Sequence, residues 1–334
     1  MDTSGLGLTL GLLAMVILVG LAWLVAYWAW RAQHERSARV GLYLLFGIPG
    51  VLLTVGGVAA ISKGDVGGGA MPLLVGIGAG LPLISGFRRL LARVLPLDPD
   101  SSVDMAGLSI LLMVIAANLA PIFAPGSAVQ PPSASDMEGL DLTTLIVQGT
   151  VEVAIALLAV GYPIAKFVQN DEQRLIRTLP QALDRLGIVK ADLKTIGVGI
   201  AGAVGAFIIL IVLGSLLARL QPGVDEGVSD VVKTMTIGLL TPLGAIVLGL
   251  SAGIGEETLL RGAFQPRYGM ILTSLAFALL HGGQYGLNYL MVVLFAISML
   301  WAWERKRFNT TSAIISHVLF DTAQVMMMIY LPQA

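Results

Sequence analysis

The sequence predicts an all-α fold, a polytopic bundle of about ten transmembrane helices. The 334 residues are 56% hydrophobic and only 12% charged, whereas an average soluble domain is about a quarter charged. Apolar runs of about 20 residues recur along the whole chain, and each is long enough to cross about 30 Å of hydrocarbon. Lys and Arg residues collect in alternate connections between these runs, as they do in membrane proteins.

Each apolar run is interpreted as one membrane span. The predicted spans are 5–30, 40–62, 68–87, 104–125, 142–166, 195–219, 234–264, 269–283, 286–303 and 309–331. The first run has no basic segment before it and no clear small-residue cleavage site after it. We therefore interpret it as a membrane span and not as a signal peptide.

The basic residues also predict the orientation of the chain. They follow the first, third, fifth, seventh and ninth predicted spans, whereas the 126–141 connection on the other side has no Lys or Arg. Because basic connections are retained in the cytoplasm, both termini are expected to lie outside.

Three parts are expected along the chain. Residues 1–168 form N-terminal transmembrane helices, residues 169–194 form a cytoplasmic amphipathic connector, and residues 195–334 form a C-terminal transmembrane core with its motifs in 255–321. The Pro-rich stretch 125–135 predicts a flexible external loop.

The connector has its own periodicity. Leu175, Leu179, Leu183 and Leu186 recur at helical spacing. This pattern predicts an amphipathic helix on the cytoplasmic membrane surface, interrupted near Pro180. A solvated connector is the alternative interpretation.

Small residues recur four apart in the predicted span 195–219. Gly197, Ala201 and Gly205 share one face of this helix. Such a face predicts close packing against a neighbouring helix.

Composition excludes several kinds of chemistry and partner. The chain has no cysteine, so disulfides, thiolate metal sites and a cysteine nucleophile are excluded. A net charge of −1 and the lack of a long basic tract argue against a nucleic-acid partner.

Ionisable residues inside the predicted spans are the candidates for function, because each costs free energy in a membrane unless it is paired or solvated. They are Glu256, Glu257 and Arg261 in span 234–264, His281 at the end of span 269–283, and His317 and Asp321 in span 309–331.

Helical rise predicts that these groups share one depth. If the chain turns near Pro266 and Gly269 on the cytoplasmic side, Glu256 lies roughly 14 Å before that turn and His281 roughly 18 Å after it. His317 lies roughly 12 Å and Asp321 roughly 18 Å from the start of the last span. The sequence therefore predicts one polar layer in the middle of the membrane.

The spacing of residues within each helix predicts which acids are paired and which one is free. Glu257 and Arg261 are i, i+4 with the acid first, the favourable order for an ion pair. That pairing leaves Glu256 as the free carboxylate, which in an apolar site can act as a base. His317 and Asp321 are also i, i+4, so the acid can fix the imidazole tautomer.

Other interpretations remain open at this point. The polar groups could only hold helices together, or they could form the proton relay of an ion-coupled transporter. A non-catalytic immunity or scaffold protein is a further alternative. Glu152 could line the same cavity or pair with a polar neighbour such as Asn118, so we leave it out of the predicted site.

The three motifs together resemble those of the CPBP family, the CAAX-prenyl and bacteriocin-processing (Abi) membrane proteases. The family signature EExxxR, FxxxH and HxxxN/D is matched here by residues 256–261, 277–281 and 317–321. Asp321 stands where the prenyl proteases have Asn, and Ser298 stands where many members have Gly. Residues 1–219 carry no family signal.

The resemblance implies intramembrane hydrolysis of a peptide bond. It implies that Glu256 and His281 activate water and that Glu257 with Arg261 orders the site. It implies that His317 with Asp321 stabilises the oxyanion or orients the substrate. The absence of GxSG, GxGD and HExxH motifs disfavours the other intramembrane protease types. Without an HExxH motif we expect no obligatory cofactor; if a metal such as Zn²⁺ binds, its ligands would be Glu256, His281 and His317.

The expected protein is therefore a CAAX-protease-like intramembrane peptidase. Its expected partners are membrane lipid and a peptide or membrane-protein substrate, with no nucleic acid. Its expected location is a prokaryotic plasma membrane, with the active site reached from the cytoplasmic side.

Overall fold

The computed structural model describes residues 3–123, 131, 133, 139, 141–168 and 175–331, and its regular elements are all helices, as predicted. Most of the predicted external loop 125–135 and residues 169–174 of the connector lie outside the described residues.

The α-helices follow one another in this order: α1 Thr3–Arg31, α2 Arg36–Ser62, α3 Val66–Gly80, α4 Ser85–Leu91, α5 Ser102–Leu119, α6 Leu142–Ala159, α7 Leu179–Leu186, α8 Leu193–Ala218, α9 Val224–Thr236, α10 Pro242–Glu257, α11 Gln265–Leu280, α12 Gly282–Tyr285, α13 Tyr289–Arg307 and α14 Thr310–Tyr330. A π-helical turn, Thr258–Phe264, joins α10 to α11.

Eight helical stretches among the described residues are long and apolar enough to cross a membrane. One of them, Pro242–Tyr285, is 44 residues long and contains two of the predicted spans. Helix α13, the ninth predicted span, is not among the eight because its last four residues, 304–307, are all charged. The protein is thus an integral membrane protein with a polytopic helical bundle.

The chain reverses at Gly269, where the turn was predicted. Gly269 has φ 76° and ψ 170°, a backbone conformation that is essentially restricted to glycine. The reversal is required by the site: the Phe277 ring lies 5.5 Å from the Arg261 guanidinium. Sixteen residues of straight helix would instead separate them by about 24 Å.

The predicted start of the seventh span was wrong. Residues 224–236 form a separate amphipathic helix, α9, with Asp225 and Glu226 in its first turn. The spanning helix α10 begins only at Pro242, where the Thr241 side chain accepts a hydrogen bond from the Gly244 N–H. Proline suits this first turn because its missing N–H would have had no helical partner.

The packing face predicted on α8 was wrong for two of its three residues; the third, Gly205, does pack, since a Cβ atom there would lie 3.0 Å from the Leu300 side chain. Gly197 and Ala201 are exposed, whereas Gly199 and Gly202 are buried. The buried face adjoins Ser316 of α14, whose hydroxyl lies 2.9 Å from the Gly199 carbonyl oxygen. Small residues alone could not identify the face because glycine and alanine occur all around this helix.

The connector helix α7 packs against the helices that carry the motifs. Leu186 is completely buried, and its backbone carbonyl oxygen accepts a hydrogen bond of 2.5 Å from the Thr310 hydroxyl. Pro180 lies in the first turn of α7, which Thr178 caps, and residues 175–178 before it are not helical, so the helix begins at Leu179, beside this proline. The helix ends at Gly187, whose φ is 69°.

Gly262 makes the close contact between α7 and the π-helical turn. A Cβ atom there would lie 3.0 Å from the Leu186 carbonyl oxygen and 3.1 Å from its side chain. We expect Gly262→Val to destabilise the protein by about 1–3 kcal/mol through overpacking. Thermal unfolding in detergent measures this effect.

Gly197→Val is the matched control, because a Cβ atom at Gly197 meets nothing within 4 Å. It should unfold at the wild-type temperature. If the Gly262 variant also unfolded at that temperature, the contact between α7 and the π-helical turn would not be the tight one described.

Candidate active site

Glu257 is the centre of a buried polar chain at the end of α10. Its side chain is completely buried, and its Oε2 lies 3.0 Å from Nε of Arg261, which is equally buried. The predicted i, i+4 ion pair is therefore present. Arg261 also donates a hydrogen bond of 2.7 Å from Nη2 to the Ser298 hydroxyl of α13.

His317 extends the same chain from α14. Its Nδ1 lies 3.1 Å from Oε1 of Glu257, and its Nε2 lies 3.2 Å from Oδ2 of Asp321. The predicted pairing of His317 with Asp321 is present, but the bond to Glu257 was not predicted. Since an ionised carboxylate can only accept, both imidazole nitrogens donate when the two acids are ionised.

In that state, charges of opposite sign alternate along a polar chain that runs from Asp321 through His317 and Glu257 to Arg261. Each buried charge has a partner of opposite sign, which is the condition under which charges are tolerated in an apolar interior. The π-helical turn that carries Arg261 is of a kind that occurs frequently at functional sites.

Aromatic rings enclose this polar chain. Trp301 stacks on His317 with a centroid separation of 4.1 Å and an interplanar angle of 21°. Phe277, the aromatic residue of the second motif, lies 5.9 Å from His317 and 4.8 Å from His281. Both aromatic side chains are buried, so they shield the chain from water and strengthen its interactions.

Glu256 differs from its neighbour Glu257. Its side chain is half-buried, and within the described residues it makes neither a hydrogen bond nor an ion pair. It is nevertheless within electrostatic range of His317 and Asp321. A half-buried carboxylate with no partner remains available to water.

One ring nitrogen of His281, Nε2, has no partner among the described residues. Its Nδ1 lies 2.9 Å from the Phe277 carbonyl oxygen, and because a carbonyl can only accept, Nδ1 carries the proton. In the neutral imidazole the lone pair is then on Nε2, the nitrogen suited to accept from water. His281 is within electrostatic range of His317 and Asp321, so it belongs to the same site.

Glu152 of α6 also reaches this region. Asn118, its other proposed partner, instead donates to the Val114 carbonyl oxygen at 2.9 Å. The Glu152 Oε1 accepts a hydrogen bond of 3.1 Å from Gln148, and its carboxylate interacts electrostatically with Glu256. A Cβ atom added at Gly255 would overlap Oε2 of Glu152, so only glycine leaves room for this acid.

The donors of the site do not fit a metal ion in this arrangement. Both nitrogens of His317, one of the conditional ligands, already face carboxylates. Within the part of the chain that is described, no group of three His, Asp or Glu side chains is placed to hold a metal.

All six predicted site residues meet where the ends of α10 and α11 and the π-helical turn approach the middle of α14. Sequence reasoning missed the contributions of Trp301 and Ser298, because both depend on how α13 lies against the motifs. The sequence identifies Ser298 only as a residue that stands where many family members have Gly, and it does not place Glu152 in the predicted site.

Fold and site together define a polytopic membrane protein with a buried acid–histidine centre. Residues 238–323 match the family model described as type II CAAX prenyl endopeptidase, Rce1-like, and all six predicted site residues lie within the match. The chain thus carries a domain of this peptidase family, as the motifs predicted. Searches of curated proteins and of solved structures found no significant match to the chain.

Proposed function

We propose that this protein is an intramembrane endopeptidase that hydrolyses a peptide bond of a membrane-associated peptide or protein with water activated by Glu256 and His281. The observation that carries the proposal is the contrast between two adjacent acids. Glu257 is fixed by Arg261 and His317, whereas Glu256 is half-buried and has no partner within the described residues.

The proposed chemistry begins with a water molecule between these two groups. Glu256 takes one proton from the water, and Nε2 of His281 accepts a hydrogen bond from the remaining O–H and so orients the attack. The water oxygen then bonds to the scissile carbonyl carbon. When the C–N bond breaks, the leaving amine takes the proton that Glu256 holds.

The remaining residues hold this arrangement in place. Glu257 with Arg261 fixes the end of α10 against α13 through Ser298. His317 with Asp321 orients the site and the substrate. No metal takes part, since neither nitrogen of His317 is free to bind one.

We further propose that substrate reaches the site from the cytoplasmic side of a prokaryotic plasma membrane. Arg185, Arg267 and Arg305 lie together at the α7 end of the site. Burial, and then the neighbouring Arg267 and Arg305, lower the pKa of the Arg185 guanidinium. Such a basic cluster is typical of the cytoplasmic face of membrane proteins.

The test is cleavage of a library of membrane peptides by the purified protein, with and without a chelator. We expect cleavage in both samples at equal rates. Cleavage that the chelator abolishes and Zn²⁺ restores would overturn the metal-free mechanism. Ion flux in liposomes without any cleavage would overturn the peptidase and favour a transporter.

A further inference from the structure

The proposed hydrolysis requires a hydrogen-bond donor for the carbonyl oxygen as it becomes negative, because such donors usually supply the largest single catalytic effect. The polar chain exposes none to a substrate. Both nitrogens of His317 face carboxylates, and Asp321 when ionised is an acceptor only. Arg261 donates to Ser298 and has a further N–H group, Nη1, without a hydrogen-bond partner, but its side chain is completely buried and out of reach of a substrate.

Tyr285 has a free hydroxyl beside this chain. It lies one helical turn after His281, and the two rings are stacked with an interplanar angle of 8° and a centroid separation of 6.1 Å. Its phenol group is within electrostatic range of both Glu256 and Asp321. The hydroxyl has no hydrogen-bond partner among the described residues, and the side chain is only half-buried.

The backbone fixes the position of this ring. The Tyr285 carbonyl oxygen accepts a hydrogen bond of 2.6 Å from the Asn288 side chain, and its N–H donates to the His281 carbonyl oxygen at 3.0 Å. Gly286, with φ 77°, ends the short helix α12 directly after it. The ring is therefore held next to His281, while the hydroxyl remains free to donate.

We propose that Tyr285 is a catalytic residue that donates a hydrogen bond to the oxyanion of the tetrahedral intermediate; this inference rests on the proposed function. As water attacks, its proton passes to Glu256 and the carbonyl π electrons move to the oxygen. The Tyr285 O–H donates to that oxygen and keeps its proton. When the intermediate collapses, the C=O bond re-forms, the C–N bond breaks, and the amine takes the proton from Glu256.

The test compares Tyr285→Phe with wild type on the best-cleaved peptide of the library. Loss of one oxyanion donor is expected to lower kcat about 10²–10³-fold. KM should not change, because the donor acts on charge that develops only in the transition state. A phosphinic analogue of the same peptide, which carries a tetrahedral anion, should bind more weakly to the variant by a similar factor.

Tyr289→Phe is the matched control, because the Tyr289 hydroxyl donates to Asp225 of α9 and not to the site. It should keep the wild-type kcat. If the Tyr285→Phe variant kept the kcat of the wild type and bound the analogue equally tightly, this inference would be wrong, even though the wild-type protein cleaves the peptide. Absence of cleavage by the wild-type protein would instead overturn the proposed function itself.

Discussion

Replacing Glu256 with Gln is expected to lower kcat by roughly 10²–10⁴-fold, the range for loss of a general base. Gln has the shape of Glu but cannot take a proton from water. Because Glu256 has no ion pair or hydrogen bond within the described residues, the change should leave the free energy of unfolding within about 1 kcal/mol of wild type. Steady-state cleavage of the library peptide and thermal unfolding in detergent measure the two quantities.

The expected result is therefore a folded protein that does not cleave. A Glu256→Gln variant with wild-type kcat would show that another group activates the water. An unfolded variant would show that Glu256 has a structural partner after all, contrary to its half-buried and unpaired position.

Replacing the next residue, Glu257, with Gln is expected to lower the stability of the protein, whereas the Glu256 substitution lowers kcat and leaves stability unchanged. Glu257→Gln leaves Arg261 completely buried without its anion and leaves His317 with one carboxylate fewer. Removal of one partner from a buried ion pair costs about 3–5 kcal/mol, so the variant should unfold at a clearly lower temperature. Activity should fall as well, because Glu256 lies at the same end of α10 and loses its position when this end is destabilised.

Glu256→Gln is the control for this second variant, since it makes the same chemical change on the same helix. Equal unfolding temperatures for the two variants would contradict the assignment of Glu257 as the structural acid. Restoration of the Glu257 variant's activity at low temperature would support it, because only stability would then have been lost.

Several features of the fold were predictable because they depend on local properties. Hydrophobic length predicted the spanning helices, and Gly269 predicted the reversal that a positive φ confirms. The start of the seventh span was not predictable from hydrophobicity. The break between α9 and α10 depends on Thr241 and Pro242, which start a new helix. Hydrophobicity does not change at this point, so the apolar pattern alone predicts one continuous span.

The site was predictable wherever two residues belong to one helix. The pairs Glu257–Arg261 and His317–Asp321 follow from i, i+4 spacing, and both are present. The bond from Glu257 to His317 joins α10 to α14, so it depends on the rotation of one helix against the other. Spacing along the chain carries no information about that rotation.

The sequence by itself determined the membrane bundle, the three motifs and the division of two adjacent acids into a free one and a paired one. Only the tertiary structure decided which groups are free to act. Packing of α13 and α14 places carboxylates on both nitrogens of His317, whereas α12 leaves the Tyr285 hydroxyl without a described partner. The physical reason is that hydrogen-bond capacity inside a membrane is used up by contacts between helices, which sequence spacing does not specify.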